Sequence, residues 1–166
     1  MAEGRDAVFL VGFMGAGKST IGRALAGLLG RVFVDLDDRI VEIEKRSIAS
    51  IIADSGEPYF RARERSVLAA IELRPPPVVA CGGGTYAHDP SRRLIDSLGI
   101  AVWIQVPLEV ALARCQAGAD RPLLRGPAQA HALYQSRLPS YRSAPLHVDV
   151  EDLTPDDAAA RIAALL

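Results

Sequence analysis

The first apolar run, Ala7-Val8-Phe9-Leu10-Val11, is continuous. It has none of the polar alternation of a half-exposed strand and predicts a parallel strand covered by helices on both faces. After the glycine-rich stretch Gly12 to Gly17, the rhythm changes. Apolar side chains recur at Ile21, Leu25, Leu28 and Leu29, the stripe of an amphipathic helix, and Gly30 supplies its stop. The opening unit is therefore strand, glycine loop, helix.

A short strand, Val32 to Val34, then ends at Asp35-Leu36-Asp37-Asp38. Ile40, Val41 and Ile43 predict a helix, and Ser47 to Asp54 predicts another. Gly56 breaks the pattern. Arg61 to Leu73 resumes it at helical spacing until Pro75-Pro76-Pro77. Val78 to Cys81 reads as a strand running into Gly82-Gly83-Gly84. Asp89-Pro90 reads as an N-cap with proline at the first helical position, on a helix ending at Ser97. A strand from Ile100 to Gln105 and helices from Pro107 to Cys115 and Ala128 to Leu138 follow. The chain closes with a strand at Leu146-His147-Val148 and a helix capped by Thr154-Pro155-Asp156-Asp157. Between the two middle helices, Gln116 to Pro127 carries no apolar periodicity and is broken by Gly118, Pro122 and Gly126, which predicts a mobile loop. Five strands alternating with helices predict an α/β, three-layer sandwich with a five-stranded parallel sheet and ligands at the carboxyl ends of its strands.

Composition narrows the function classes. At 166 residues the chain is the size of one domain, and 49% apolar with 23% charged residues is an ordinary globular balance. A formal net charge of -1 gives no basic field for nucleic acid or an anionic membrane, so function must reside in a site. No apolar run is long enough to span a bilayer. Near the first apolar run, Glu3, Asp6 and Lys18 are poor chemistry for secretion. Cys81 and Cys115 have no metal-ligand spacing, and a reducing cytoplasm is the expected location.

Gly12-Phe13-Met14-Gly15-Ala16-Gly17-Lys18-Ser19-Thr20 matches GxxxxGK followed by a hydroxyl residue, in the strand-to-helix context a P-loop requires. Gly15, Ala16, Gly17 and Thr20 contribute backbone N–H groups that can turn toward phosphate oxygens at the positive end of a helix. Lys18 neutralises the β and γ phosphates, and the Ser19 hydroxyl can ligate Mg²⁺. A guanine-reading switch needs an Asn-Lys-x-Asp element, and the chain contains no Asn. The remaining branches include ATPases and small-molecule kinases. A kinase adds an acceptor pocket, an acidic group at the attacking hydroxyl and cations over the phosphoryl group.

Asp35 and Asp37 follow a strand at a spacing of two, which predicts both carboxylates on one side as the strand continues. One can hold Mg²⁺ through water and the other can accept a hydrogen bond, and a proton, from a substrate hydroxyl. Arg61 lies one turn from Glu64, which can hold its guanidinium for a grip on a carboxylate, although a surface ion pair is the ordinary reading of such spacing. Gly82-Gly83-Gly84 at a strand's carboxyl end would let a ligand approach bare backbone N–H groups.

Taken together, these segments resemble the shikimate kinase family over nearly the whole chain. Gly12 to Thr20 is similar to its P-loop, Asp35-Leu36-Asp37 to its acidic pair, Gly56 to Glu64 to its Gly-Glu-x-x-Phe-Arg-x-x-Glu segment, and Gly82 to Gly84 to its triple glycine. Arg121-Pro122-Leu123-Leu124 is similar to its lid motif, and Arg137 with Tyr141 to its Arg-x-x-x-Tyr segment. The resemblance implies a monomeric, nucleoside-monophosphate-kinase-like P-loop enzyme, one domain over residues 1–166 with a lid at about 116–127. It would transfer the γ-phosphoryl group of ATP to the 3-hydroxyl of shikimate. On this implication Arg61 and Arg137 hold the substrate carboxylate, Asp37 its hydroxyls and Gly82, Gly83 and Gly84 its ring edge. Ser19 and Asp35 place Mg²⁺, Arg121 swings in with the lid, and Arg114 and Pro155 sandwich adenine. Leu36 departs from the commoner Thr between the aspartates, and Leu153-Thr154 from more polar residues in the adenine loop. Two alternatives stand beside this reading: a P-loop kinase for another hydroxy acid such as gluconate, and a module that senses shikimate without turning it over.

Overall fold

The computed structural model describes residues 6–116 and 126–166. Its centre is a five-stranded, wholly parallel sheet in the order β2-β3-β1-β4-β5. The strands are β1 (Ala7–Val11), β2 (Phe33–Asp35), β3 (Val78–Ala80), β4 (Gly99–Gln105) and β5 (Leu146–Asp149). β1 lies between β3 and β4, pairing Phe9 with Val79 on one side and with Ala101 on the other. Every residue of β1 is buried, as its unbroken apolar run requires of a central strand with both faces covered.

The helices are α1 (Lys18–Leu29), α2 (Leu36–Glu44), α3 (Ile48–Ser55), α4 (Glu57–Ala69), α5 (Asp89–Leu98), α6 (Leu108–Gln116), α7 (Pro127–Arg142) and α8 (Pro155–Leu165). The predicted stripe on α1 places Ile21 and Leu25 in the core, while Leu28 is exposed. α8 packs on α1 through Ala158, Ala159 and Ile162, all buried. Phe9, Leu10, Ile104 and Trp103 lie in the same core, as expected for Phe9 and Trp103. Among the described residues no helix is long and apolar enough to cross a membrane.

From β1 the chain passes outward to β2, returns to β3, then crosses to β4 on the other side. The order therefore reverses around β1, and the crevice beyond its carboxyl end is where such a sheet receives ligands. The glycine loop after β1 and the glycines after β3 open into that crevice.

Three boundaries differ from the periodicity reading. β2 ends at Asp35 and α2 begins at once with Leu36, whose side chain is fully buried, so the strand does not continue through Asp37. α4 starts at Glu57, with Pro58 in its first turn, and ends at Ala69; Ile71 and Leu73 pack on the core from beyond its end. α7 runs through Pro139 to Arg142 instead of stopping at Leu138. Its last turn buries Tyr141 completely, stacked on Trp103 with ring centroids 5.9 Å apart, and this burial outweighs the one backbone hydrogen bond that proline forfeits.

Candidate active site

The glycine loop is shaped by contacts on its outer side. Gly15 has a φ of +80°, and a Cβ there would stand 2.3 Å from the Ala111 carbonyl oxygen and 2.9 Å from Cys115 Sγ on α6. No other residue could occupy that turn without displacing the helix. Gly17, also at positive φ, caps α1 without a side-chain hydrogen bond, which leaves the first-turn N–H groups of α1 for an anion. Lys18 is buried, and its Nζ donates to the carbonyls of Gly12 at 2.7 Å and Phe13 at 2.9 Å. Arg114 lies over the loop, donating to the Gly15 and Ala16 carbonyls at 3.3 Å each. Lys18, Ser19, Thr20, Asp35, Asp37 and Arg114 all line one cavity of about 440 Å³.

The acidic pair is arranged differently from the expectation. Asp35 is the N-cap of α2, its Oδ1 accepting from the Asp38 N–H at 3.2 Å, while its Oδ2 accepts from the Ser19 hydroxyl at 2.5 Å. Asp37 stands in the first helical turn, so strand alternation is not what brings the two carboxylates together. They meet because a cap and a first-turn residue both face the crevice. Asp37 lines the loop cavity and also its neighbour.

That neighbour, a cavity of about 290 Å³, brings together Asp37, Arg61, Gly82, Gly83, Gly84 and Arg137. Arg61 is held as foreseen: its Nη1 lies 2.9 Å from Glu64 Oε1, and its Nη2 lies 3.6 Å from Glu57 on the opposite side. The Glu64 carboxylate is fully buried and accepts a second hydrogen bond from the Thr85 hydroxyl at 2.8 Å. Arg137 is only 6% exposed, and among the described residues its Nη1 has no hydrogen-bond partner. Burial pushes its pKa below the usual guanidinium value. A buried cationic donor of this kind calls for an anion. Tyr141 donates to the Gly83 carbonyl, and burial pushes its own pKa up to about 12.

Two of the three glycines, Gly83 and Gly84, lie directly against the arginines. A Cβ on Gly84 would lie 2.1 Å from Arg61 Nη2 and 2.9 Å from Arg137 Nη2, and one on Gly83 would lie 3.3 Å from Arg137 Nη1. At Gly83 and Gly84 the space a side chain would need is taken by guanidinium groups, and at Gly82 by the Asp37 and Glu64 carboxylates and the Thr85 hydroxyl.

Thr85 escaped the sequence reading because a threonine after a glycine run carries no periodic or motif signal. So did the apolar wall of the cavity, formed by Ile48 and Ile52 of α3 with Met14 and Phe60. Their i, i+4 spacing announced a helix, not what it would face. Of the other predicted residues, Pro155 is exposed in the first turn of α8 and lines neither cavity. Arg121 and most of the expected lid lie outside the described residues. Cys81 is buried, and burial raises its thiol pKa far from reactivity. His131 and His147 are exposed and His88 half-buried.

Comparison with known proteins agrees with this geometry. The shikimate kinase family model matches residues 14–166. A shikimate kinase from Cereibacter sphaeroides is 39% identical over 98% of this chain and 83% of its own. The solved shikimate kinase of Acinetobacter baumannii in complex with shikimate superposes with a TM-score of 0.87 at 37% identity, covering 96% of this chain and 92% of that one. A gluconokinase from Sinorhizobium meliloti, at 19% identity and a TM-score of 0.56 over 98% of this chain and 95% of its own, shares the fold.

Proposed function

The chain belongs to the shikimate kinase family, and on that premise we propose that its two adjoining cavities carry the phosphorylation of shikimate at its 3-hydroxyl by ATP. The observation that carries the assignment of sites is the buried Nη1 of Arg137, which shares a cavity with Arg61 and Asp37 beside the P-loop. Two guanidinium groups at one end of a small, apolar-walled cavity suit a ring carboxylate. A carboxylate at the other end suits the hydroxyl to be phosphorylated. A gluconate-like acceptor, a flexible open chain, fits the rigid arginine pair less well.

In this reading the N–H groups of Gly15, Ala16, Gly17, Lys18, Ser19 and Thr20 bind the triphosphate tail, and Lys18 turns its ammonium from loop carbonyls to phosphate oxygens as negative charge develops. Asp37 orients the acceptor hydroxyl and takes its proton. Arg61 and Arg137 fix the acid so that this hydroxyl faces the γ-phosphate, which removes most of the orientational entropy from the barrier. Gly82, Gly83 and Gly84 face the ring edge of the substrate.

Ser19 and Asp35 offer a hydroxyl and a carboxylate side by side at the phosphate end, a hard-oxygen donor set that fits Mg²⁺ completed by water and phosphate oxygens. When bound, Mg²⁺ neutralises charge on the phosphates. Arg114 and Pro155 are assigned to adenine, and Arg121, on a lid at about 116–127, to the transferring phosphoryl group. The lid's closure excludes water that would otherwise hydrolyse ATP. The enzyme is read as a single-domain, cytoplasmic monomer that binds neither nucleic acid nor membrane.

The test is a coupled ADP-release assay over shikimate, quinate and gluconate. Turnover on shikimate well above the other two is expected. Equal rates on gluconate would overturn the assignment of the acceptor, and ATP-dependent binding of shikimate with no ADP release would turn the protein into a sensor.

A further inference from the structure

Thr85 has no part in the roles assigned so far, yet it is one of the few polar side chains the fold buries completely. It stands at the end of the glycine run, where its own N–H bonds the Gly82 carbonyl at 3.2 Å and its carbonyl accepts from the His88 N–H at 3.3 Å. The main chain therefore fixes where its hydroxyl points. That hydroxyl donates to Glu64 Oε2 at 2.8 Å, while Glu64 Oε1 receives Arg61 Nη1 at 2.9 Å. Each oxygen of a fully buried carboxylate thus has its own donor.

We propose that Thr85 is a positioning residue for the acid site: its hydroxyl holds the Glu64 carboxylate in the one orientation that aims the Arg61 guanidinium into the cavity. The inference rests on the assignment of Arg61 to the substrate carboxylate. Two details of the geometry make the hydroxyl matter. First, Arg61 has a competing partner. Glu57, with a half-exposed side chain, lies 3.6 Å from Nη2 while Glu64 holds Nη1, so it stands ready to draw the guanidinium once Glu64 loosens. Second, Glu64 has a repelling neighbour. A Cβ placed on Gly82 would lie 2.9 Å from Asp37 Oδ1, 3.3 Å from Glu64 Oε2 and 3.2 Å from Thr85 Oγ1, so two carboxylates and the hydroxyl converge on the space that glycine leaves open. Thr85 sits at that convergence and donates its hydrogen bond to Glu64, opposing the push from Asp37.

Without the hydroxyl, Glu64 Oε2 is a buried anionic oxygen with no donor. The carboxylate turns toward another donor, its hold on Arg61 weakens and Glu57 gains the guanidinium. Thr85, Glu64 and Arg61 do not line the nucleotide cavity, which meets this chain of bonds through Asp37 and Gly82. The predicted defect is therefore confined to the acid.

The experiment compares T85V and T85S with the wild type in steady-state kinetics, varying each substrate in turn, with Arg61→Ala alongside. T85V is expected to raise the KM for the acid about tenfold while leaving the KM for ATP and kcat within about twofold, and T85S is expected to restore the acid KM. Should T85V fail to fold, T85A against T85S makes the same comparison. An acid KM unchanged in T85V, or KM values for both substrates rising together, overturns the proposal if Arg61→Ala still raises the acid KM selectively. An Arg61→Ala enzyme with a normal acid KM would remove the acid-site reading itself.

Discussion

The two cavities meet at Asp37 but are built on opposite plans. The nucleotide side is organised around one contiguous stretch, Gly12 to Thr20, whose turn and helix start present backbone N–H groups, joined by the side chains of Asp35, Asp37 and Arg114. The acid side draws side chains from the loop after β1 and from α2, α3, α4 and α7, widely separated in sequence, around the bare glycine run, with Arg61 held by a buried chain of hydrogen bonds through Glu64 and Thr85. A site made of backbone is specified locally and tolerates change at most side chains. A site made of long side chains depends on what packs behind each of them.

That contrast can be broken first at Lys18. The Lys18→Ala variant is expected to lose turnover by on the order of 10³-fold, because a preorganised cation at the transferring group is gone. Acid binding, followed through the fluorescence of Trp103, which stacks on Tyr141 beside the glycine run, should survive. Loss of acid binding as well would mean that the two halves are one cooperative unit.

Gly84→Ala attacks the other half without touching a charge. Its methyl group would stand 2.1 Å from Arg61 Nη2, so the guanidinium must move. The expected outcome is a rise in acid KM of about tenfold to a hundredfold, the loss of one charge-assisted hydrogen bond, with the KM for ATP nearly unchanged. Kinetics with each substrate varied separately would decide it, and an equal effect on both would contradict the division between the halves.

The smallest effect sharpens the comparison by lying outside both sites. Lys45 closes α2 at a φ of +57°, a left-handed conformation that costs a side-chain-bearing residue about 1–2 kcal/mol. After the extra flexibility of glycine in the unfolded chain is subtracted, Lys45→Gly is expected to stabilise the fold by about 0.5–1 kcal/mol. That corresponds to a few degrees in melting temperature at this size. Kinetic constants should not change; a shift in acid KM would show that the end of α2 communicates with Asp37 near its start.

Nearby, the Glu44 carboxylate gathers Arg46, Tyr59 and Arg63 and so ties α2 to α4. Its pKa is held below the usual carboxylate range, chiefly by the hydrogen bond from Arg46. It is an architectural counterpart to Glu64, with its side chain 8% exposed where that of Glu64 is fully buried.

What the sequence determined by itself follows from short-range physics. The strand-loop-helix unit, the alternation of strands and helices, the anion-binding character of Gly12 to Thr20 and the i, i+3 pairing of Arg61 with Glu64 depend on neighbours within a few residues, and periodicity and side-chain chemistry display them directly. The tertiary structure decided the rest. It made Asp35, the last residue of β2, a helix cap and put Asp37 in a helical turn, carried α7 through Pro139 because Tyr141 had a buried place to go, and set guanidinium groups against Gly83 and Gly84. It also enlisted Thr85, whose role exists because Glu64, 21 positions away, is buried against it. Such relations arise when distant segments exclude water from a shared space, and a side chain's partner there is set by packing, which no local pattern encodes.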